Sequence, residues 1–170
     1  DLAVRLSTFD MVPYRPDPER SQPGKPGPGI PEEHEIPFPY QFGVNHEDPT
    51  QIDLKETFGF VNLCSELGIK LINTTAGSPY YTPHLQRPAA YPPSDGYQPA
   101  YDPLIDVARQ ITVVRDLKAQ LPEGMAIVAS GLSYLQEYLP HVCQALLRAG
   151  WTDMVGLGRV VLSYPDILNE

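Results

Sequence analysis

An arginine in the first apolar segment of the chain, residues 2–7, has the type and position to bind an anionic ligand. The alternation of side chains along a strand puts Arg5 among small residues, on the face opposite the leucines and the valine. A guanidinium stays charged in proteins and is rarely buried without a partner. Arg5 therefore either projects from the inner face of a barrel toward an anion or pairs with a nearby carboxylate such as Asp10, and the sequence leaves both readings open.

Two glycine-containing segments near the end of the chain have the composition of a phosphate site. Residues 130–133 and 156–159 each follow an apolar segment and precede a helical pattern. Glycine lets a phosphate approach backbone N–H groups, and a helix N-terminus adds a favourable dipole. Arg159 adds a bidentate charged donor. The segments predict a phosphate site at Gly131, Gly158 and Arg159, with two tight turns and a surface arginine as the alternative.

The histidines and cysteines show no spacing typical of a metal centre or an activated nucleophile. The four histidines lie far apart along the chain: His34, His46, His84 and His141. His84, in a tyrosine-rich segment, is the histidine that we most expect to face a ligand. Cys64 and Cys143 fall in predicted helices, where we expect buried free thiols. We therefore expect no metal site.

Four short apolar segments are predicted to be the strands that hold these residues. They are residues 2–7, 71–74, 126–129 and 154–157, and helical periods alternate with them over residues 54–64, 104–121 and 135–146. Gly68 is the expected C-terminal cap of the first helix. Short apolar runs that alternate with helices predict an α/β fold with a parallel sheet. Because ligands bind at the carboxyl ends of such strands, we expect Arg5 and the glycine segments to lie on one face.

Proline is concentrated in two long segments that follow the first two predicted strands. Of the 20 prolines, ten lie in residues 13–49 and seven in residues 79–103. Long loops inside a compact domain are usually functional or disordered. Phe38, Tyr40 and Phe42 predict that part of the first loop packs down as a lid, and the tyrosines of the second predict the wall of an apolar ligand pocket. Surface loops without a ligand are the alternative.

The composition excludes several classes of protein. The 170 residues carry a formal net charge of −9, which argues against nucleic acid or an anionic membrane surface as a partner. Hydrophobic residues make up 42%, enough for one core, and no apolar run is long enough to span a membrane. No signal peptide is visible, so we expect a cytoplasmic location. The chain starts at Asp1 rather than Met, which suggests a piece of a longer protein.

Five segments follow one another along the chain in an order typical of a known family. They are residues 3–7 with Asp10, residues 71–77, Ser130-Gly131, residues 155–159 and Tyr164-Pro165-Asp166. Together they resemble the old yellow enzyme family, the NADH:flavin oxidoreductases. The resemblance spans essentially the whole chain, and its most specific parts are the Val-Arg-Leu-Ser segment and the Gly-Leu-Gly-Arg segment followed by Pro-Asp.

The family resemblance implies a fold, a cofactor and a reaction. Members are FMN-dependent TIM barrels in which NAD(P)H reduces the flavin and the flavin then reduces an activated alkene or a related small molecule. By resemblance, Arg5 is the catalytic and cofactor-binding residue that faces the N1/O2 edge of the isoalloxazine, where reduced flavin carries negative charge. Gly131, the backbone of Leu132, Gly158 and Arg159 would hold the FMN phosphate.

The resemblance also implies that residues 1–170 are one partial domain. They would be the fifth to eighth strands of a (β/α)8 barrel, which usually needs about 250 residues. The partner would then be the missing N-terminal half, which carries the family's substrate-anchoring residues, so we expect the isolated chain to be inactive. Two open sheet edges predict homo-oligomers or aggregation. The alternatives are a non-flavin phosphate-binding barrel of the isomerase or aldolase type and a non-catalytic phosphate-binding half-barrel.

Overall fold

Four parallel strands form the central sheet of the protein, seen in a computed structural model that describes residues 2–91 and 96–169. A separate two-stranded antiparallel hairpin lies in the first proline-rich segment. In chain order the strands are β1 (Ala3–Ser7), β2 (Tyr14–Pro16), β3 (Gly29–Pro31), β4 (Leu71–Thr75), β5 (Ala126–Ala129) and β6 (Met154–Val155). The α-helices are α1 (Lys55–Glu66), α2 (Pro83–Gln86), α3 (Pro103–Ala119), α4 (Leu139–Arg148) and α5 (Val160–Ser163), and 3₁₀ helices span Ser133–Tyr138 and Pro165–Leu168.

The central sheet has the strand order β1-β4-β5-β6, and every neighbouring pair is parallel. The register places Arg5 beside Asn73 and Asn73 beside Val128. The order in space follows the order in the chain, with a helix-containing connection after each strand. The predicted α/β class with a parallel sheet is therefore confirmed.

One face of the sheet is buried beneath the helices. Leu6 and Ile72 pack with Val61 and Cys64 of α1, and Ile127 and Ala129 join a larger cluster with the apolar residues of α3 and α4. Along β4 and β5, buried side chains alternate with less buried ones. The less buried face carries Arg5, Asn73, Thr75 and Val128.

The helices begin and end where the sequence provides a physical reason. After α1, Gly68 takes φ +77°, and the N–H of Ile69 donates to the Cys64 carbonyl at 2.9 Å, so the predicted glycine cap is present. The third helix does not begin at residue 135 as its apolar period predicts. Pro140 lacks an N–H and fits only the first turn of a helix, so α4 begins at Leu139 and a 3₁₀ helix precedes it.

The last predicted strand is also shorter than its apolar run, because β6 contains only Met154–Val155. Cys64 is buried as expected, whereas Cys143 is only half-buried. Within the described ranges, no helix has both the length and the apolar character to cross a membrane.

The two proline-rich segments pack against each other. The N–H of Gly29 donates to the Gln98 carbonyl and the N–H of Gln98 donates to the Gly27 carbonyl, each at 2.9 Å. Tyr14 N–H likewise donates to the Tyr81 carbonyl at 2.9 Å. These bonds join the β2–β3 hairpin to the second segment, of which residues 92–95 lie outside the described residues.

The aromatic residues of the first segment, predicted to form part of a lid, lie in different surroundings. Phe42 packs against Phe60 of α1 with ring centroids 6.5 Å apart, so it belongs to the core under the sheet. Tyr40 is exposed, and it contacts the half-buried Phe38 rather than the ends of the strands.

Candidate functional site

A cleft of about 560 Å³ lies at the carboxyl ends of the central strands. Its volume is within the range of about 300–1,000 Å³ that is typical of small-molecule sites. All five residues singled out by the sequence line it: Arg5, Gly131, Leu132, Gly158 and Arg159. The residues lie far apart in the chain, and the parallel sheet brings them together because its strands end on one side.

The side chain of Arg5 is exposed on the open face of β1. Among the described residues it forms no ion pair, so the alternative pairing with Asp10 is not made. Asp10 instead accepts a hydrogen bond from Ser7 Oγ at 2.9 Å, and burial raises the pKa of this carboxyl. Arg5 is therefore available to an anionic group in the cleft.

The loop after β5 requires glycine at position 131. Gly131 has φ +81°, and a Cβ there would overlap the side-chain amide of Gln110 on α3. Gln110 is itself fixed, because its Nε2 donates to the Leu85 carbonyl at 2.6 Å in a buried position. The backbone of this loop is thus held against α3 at the edge of the cleft.

The backbone of the two glycine loops offers hydrogen-bond donors. Within the described chain, the N–H groups of Gly131, Leu132, Gly158 and Arg159 donate to no protein acceptor. A Cβ on Gly158 would meet no atom within 4 Å, so open space adjoins the backbone there. Unpaired N–H groups beside open space can bind an anion.

The expected contribution of helix dipoles is small in this structure. A 3₁₀ helix follows the first glycine loop, and α5, which follows the second, has four residues. Macrodipoles grow from aligned peptide units, so such short helices add little. The positive potential of the cleft must come from individual N–H groups and guanidinium groups.

Three arginines line the cleft, and no acidic residue or lysine does so among the described lining residues. Arg5 and Arg159 were predicted, whereas Arg87, at the end of α2, was missed. None of the three forms an ion pair with a described residue. In a chain of net charge −9, this concentration of unpaired positive charge indicates an anion-binding site.

Asn73 was also missed by the sequence reading. It lies beside Arg5 in the register of β1 and β4 and lines the same cleft. Its Oδ1 is buried and accepts no hydrogen bond from the described residues. Buried polar atoms normally have a partner, so this oxygen marks a position for a ligand donor. The polar residue in the middle of an apolar strand is the signal that could have identified it.

A second cavity of about 430 Å³ adjoins the cleft, and Gln86, Arg87 and Arg159 line both. Its other walls come from the second proline-rich segment, including His84, Tyr91 and Tyr97, so the predicted tyrosine-lined pocket wall is present. This second segment, not the first, shapes the space beside the cleft.

His84, the histidine that we most expected to face a ligand, lies on the wall of the second cavity. Its Nδ1 is 2.6 Å from the Tyr97 hydroxyl, and its Nε2 is buried without a hydrogen-bond partner among the described residues. Burial, assisted by the charge of Arg109, lowers the pKa of His84 to about 4. The imidazole is therefore neutral near pH 7 and can hold the cavity wall but not bind an anion by charge.

The comparisons of the chain with protein-family models, curated proteins and solved structures found no match. Among the described residues there is no group of three or more His, Cys, Asp or Glu side chains that could hold a metal ion. The polar groups that line the cleft are guanidinium groups, backbone N–H donors, side-chain amides and hydroxyl groups. The amides belong to Asn73, Gln86 and Gln110, and the hydroxyl groups to Thr75, Ser130, Ser133 and Ser163.

Proposed function

We propose that the chain is part of an FMN-dependent oxidoreductase of the old yellow enzyme type, which transfers hydride from NAD(P)H to an activated alkene or a related small molecule. The observation that carries this proposal is the composition of the cleft. Three unpaired arginines and the free N–H groups of two strand ends meet there without a carboxylate among the described lining residues.

The donors at the ends of β5 and β6 fit the phosphate of FMN. A phosphate monoester needs several donors and a compensating charge, and Gly131, Leu132, Gly158 and Arg159 supply N–H groups and a guanidinium. The open space beside Gly158 allows an oxygen to approach the backbone. A riboflavin without its phosphate would leave these donors unused.

The other end of the cleft fits the polar edge of a flavin ring. Bound FMN would supply the hydride-transfer chemistry of its ring. Arg5 offers a fixed positive charge that stabilises negative charge on the ring edge, and Asn73 Oδ1 can accept from a ring N–H. Arg5 is thus assigned the catalytic role and Asn73 an orienting one.

Two features of the sheet support its being half of a (β/α)8 barrel. The strand order follows the chain order, and the residues buried under α1, α3 and α4 lie on one face. A doubly wound sheet has helices on both faces, whereas a barrel has helices only outside. The open face with Arg5 and Asn73 would then be the barrel interior, completed by an N-terminal half.

An aldolase of the Schiff-base type is the less favoured reading of this cleft. Such an enzyme needs a lysine amine inside the site. No lysine lines the cleft among the described residues, and Lys70 lies before β4, at the opposite end of the strand. A phosphate-containing ligand other than a flavin is distinguished from FMN by the titration described next.

The test is a fluorescence titration of the chain with FMN, with riboflavin and inorganic phosphate as comparison ligands. We expect FMN to bind at least about tenfold more tightly than either, because both the phosphate and the ring find partners. Arg159→Ala should weaken the binding of FMN by about 1.5–3 kcal/mol, the size of one charge-assisted hydrogen bond. The same substitution should leave the affinity for riboflavin unchanged. Arg20→Ala, at an exposed arginine away from the cleft, is the matched control.

Two results would contradict the proposal. Equal affinity for FMN and riboflavin would remove the phosphate site. Affinity for FMN no greater than that for inorganic phosphate would remove the ring site and leave a phosphate-binding module.

A further inference from the structure

The second cavity has walls of a different kind from those of the cleft. They are largely rings, contributed by Pro79, Pro83, His84, Tyr91 and Tyr97. Arg87 lines both cavities and is exposed, so its guanidinium can reach a ligand in either. This combination of flat apolar walls and two unpaired arginines, Arg87 and Arg159, differs from the backbone donors of the cleft.

The wall of the second cavity at Tyr97 and His84 is fixed by contacts between the two proline-rich segments. Tyr97 is buried, and its ring lies 5.5 Å from the ring of His84 and 6.0 Å from that of Tyr14. A Cβ on Gly29 would overlap the ring of Tyr97, so the β2–β3 hairpin packs closely against it. A wall that is formed in advance loses little conformational entropy when a ligand packs against it.

Two features of the cavity, its unpaired arginines and an exposed tyrosine ring, restrict what can occupy it. Among its described lining residues, Arg87 and Arg159 are the charged side chains, and neither has a carboxylate partner in the described chain. Tyr91 is 90% exposed, so one face of its ring is free for stacking. Aromatic rings stack on tyrosine and proline, and a carboxylate or phosphate pairs with arginine in a bidentate manner.

We propose that the second cavity binds a flat aromatic molecule that carries an anionic group, with the ring against the tyrosine and proline walls and the anion at Arg87. The site shares Arg87 and Arg159 with the cleft, but the inference does not depend on the cleft binding a flavin. The anion can be a carboxylate or a phosphate, since both suit a guanidinium.

The test is isothermal titration calorimetry of the chain with benzoate, phenyl phosphate and the neutral benzamide. We expect at least one of the two anions to bind, and benzamide to bind at least about tenfold more weakly than that anion, because it lacks the charge-assisted bond. The two anionic probes show which acid group the site prefers. Binding of neither anion, or equal binding of benzamide, would overturn the inference.

Variants place the binding in this cavity. Arg87→Gln should raise the Kd of the anionic probe about tenfold, whereas Arg20→Gln, at an exposed arginine lining neither cavity, should not. Tyr91→Ala should weaken the binding of the aromatic anion but not that of inorganic phosphate. Because the side chain of Tyr91 is exposed, we expect this substitution to cause no folding defect. An unchanged Kd in Arg87→Gln would overturn the inference.

The same protein sample separates this inference from the flavin proposal. A chain that binds an aromatic anion through Arg87 but does not bind FMN retains the second site and loses the flavin assignment. A chain that binds FMN but neither anionic probe retains the flavin assignment and loses the second site.

Discussion

At the level of single residues, unpaired positive charge is the feature that most needs a ligand. Arg5, Arg87 and Arg159 surround the cleft without an ion pair in the described chain, although acidic residues outnumber basic ones. Elsewhere in the described chain, Arg109 pairs with Asp106 and Lys118 pairs with Asp153. The cleft is distinctive because it gathers three unpaired cations with no carboxylate among its described lining residues, which favours binding of an external anion.

Arg5→Leu tests whether this positive charge tunes a bound flavin. We expect the midpoint potential of bound FMN to fall by about 30 mV or more, about 1.4 kcal/mol for two electrons, because the negative charge develops on reduction. Affinity for oxidised FMN should change little. Arg5→Lys, which keeps the charge, should remain close to the parent potential. Spectroscopic titration against a reference dye measures the midpoint potential of the bound FMN. An unchanged potential in Arg5→Leu would exclude the assignment of Arg5 to the ring edge.

His84 should make the folded chain less stable in acid. Its pKa is about 4 in the folded chain against 6.5 for an unperturbed imidazole, so as pH falls below about 6.5 the unfolded chain takes up a proton that the folded chain does not. Stability is lost between about pH 6.5 and 4, by up to about 3 kcal/mol. Burial raises the pKa of Asp106 to about 6, so this carboxyl opposes the effect, because the folded chain binds its proton first.

The contribution of His84 is isolated by comparing the chain with His84→Gln. As pH falls from about 6.5 to 4, the unfolding free energy of the parent chain should decrease relative to that of His84→Gln. Urea unfolding at several pH values measures the difference, and His141→Gln, at an exposed position, is the control for removing an imidazole. A difference that stays constant with pH would show that folding does not change the pKa of His84.

At the level of elements, the loop after β5 links the cleft to the helical layer. Gly131 lies against Gln110 of α3, and Gln110 holds the Leu85 carbonyl in α2, which leads to Arg87. The two cavities thus share a support that runs from the β5 loop through α3 to the second proline-rich segment. A change at Gly131 should therefore affect the positions of the N–H donors in the β5 loop and of Arg87 in the second proline-rich segment.

Gly131→Ala should lower both stability and anion binding. A left-handed φ costs a non-glycine residue about 1–3 kcal/mol, and the new Cβ also displaces Gln110. Gly124→Ala is a matched control, since Gly124 has φ +80° but open space around its Cβ, so it carries the strain alone. Thermal unfolding and FMN titration should show loss of binding only in Gly131→Ala. Equal effects of the two substitutions would mean that the contact with Gln110 is unimportant.

The sequence predicted the elements whose signals are local. The central strands, the helices α1 and α3 and the glycine cap at Gly68 follow from periodicity and from glycine itself. The break before α4 was missed because the apolar period continues through residue 135, whereas Pro140 decides where the helix can begin. The β2–β3 hairpin was missed because its short strands depend on contacts with residues distant in sequence, such as Gln98.

The site was predictable where the strand ends carry unusual residues. Arg5, the two glycine loops and Arg159 stand out by type and position, and the structure brings them to one cleft. Arg87 was not predictable, because α2 and the path of the second proline-rich segment place it there, and a lone arginine in a loop has no local signature.

At the level of the whole molecule, the sheet has two outer strands. Within the described chain, β1 and β6 each pair on one side only. Leu2 lies on the same face as the buried Leu6 but is 72% exposed, so the apolar layer under the sheet is uncovered at the β1 edge. Open edges and uncovered apolar side chains favour association with another chain.

We therefore expect the chain to self-associate in solution, and Leu2→Lys to weaken this association. A charge at a sheet edge disfavours pairing, and burying a leucine contributes about 1.5–3 kcal/mol, so the dissociation constant should rise about tenfold or more. Leu67→Lys is the control for placing a charge at an exposed leucine outside the sheet, because Leu67 is 68% exposed at the end of α1. Sedimentation velocity over a concentration series measures both variants. A parent chain that stays monomeric at every concentration would mean that the β1 edge needs no partner, and this would weaken the half-barrel proposal more than the anion-site proposal.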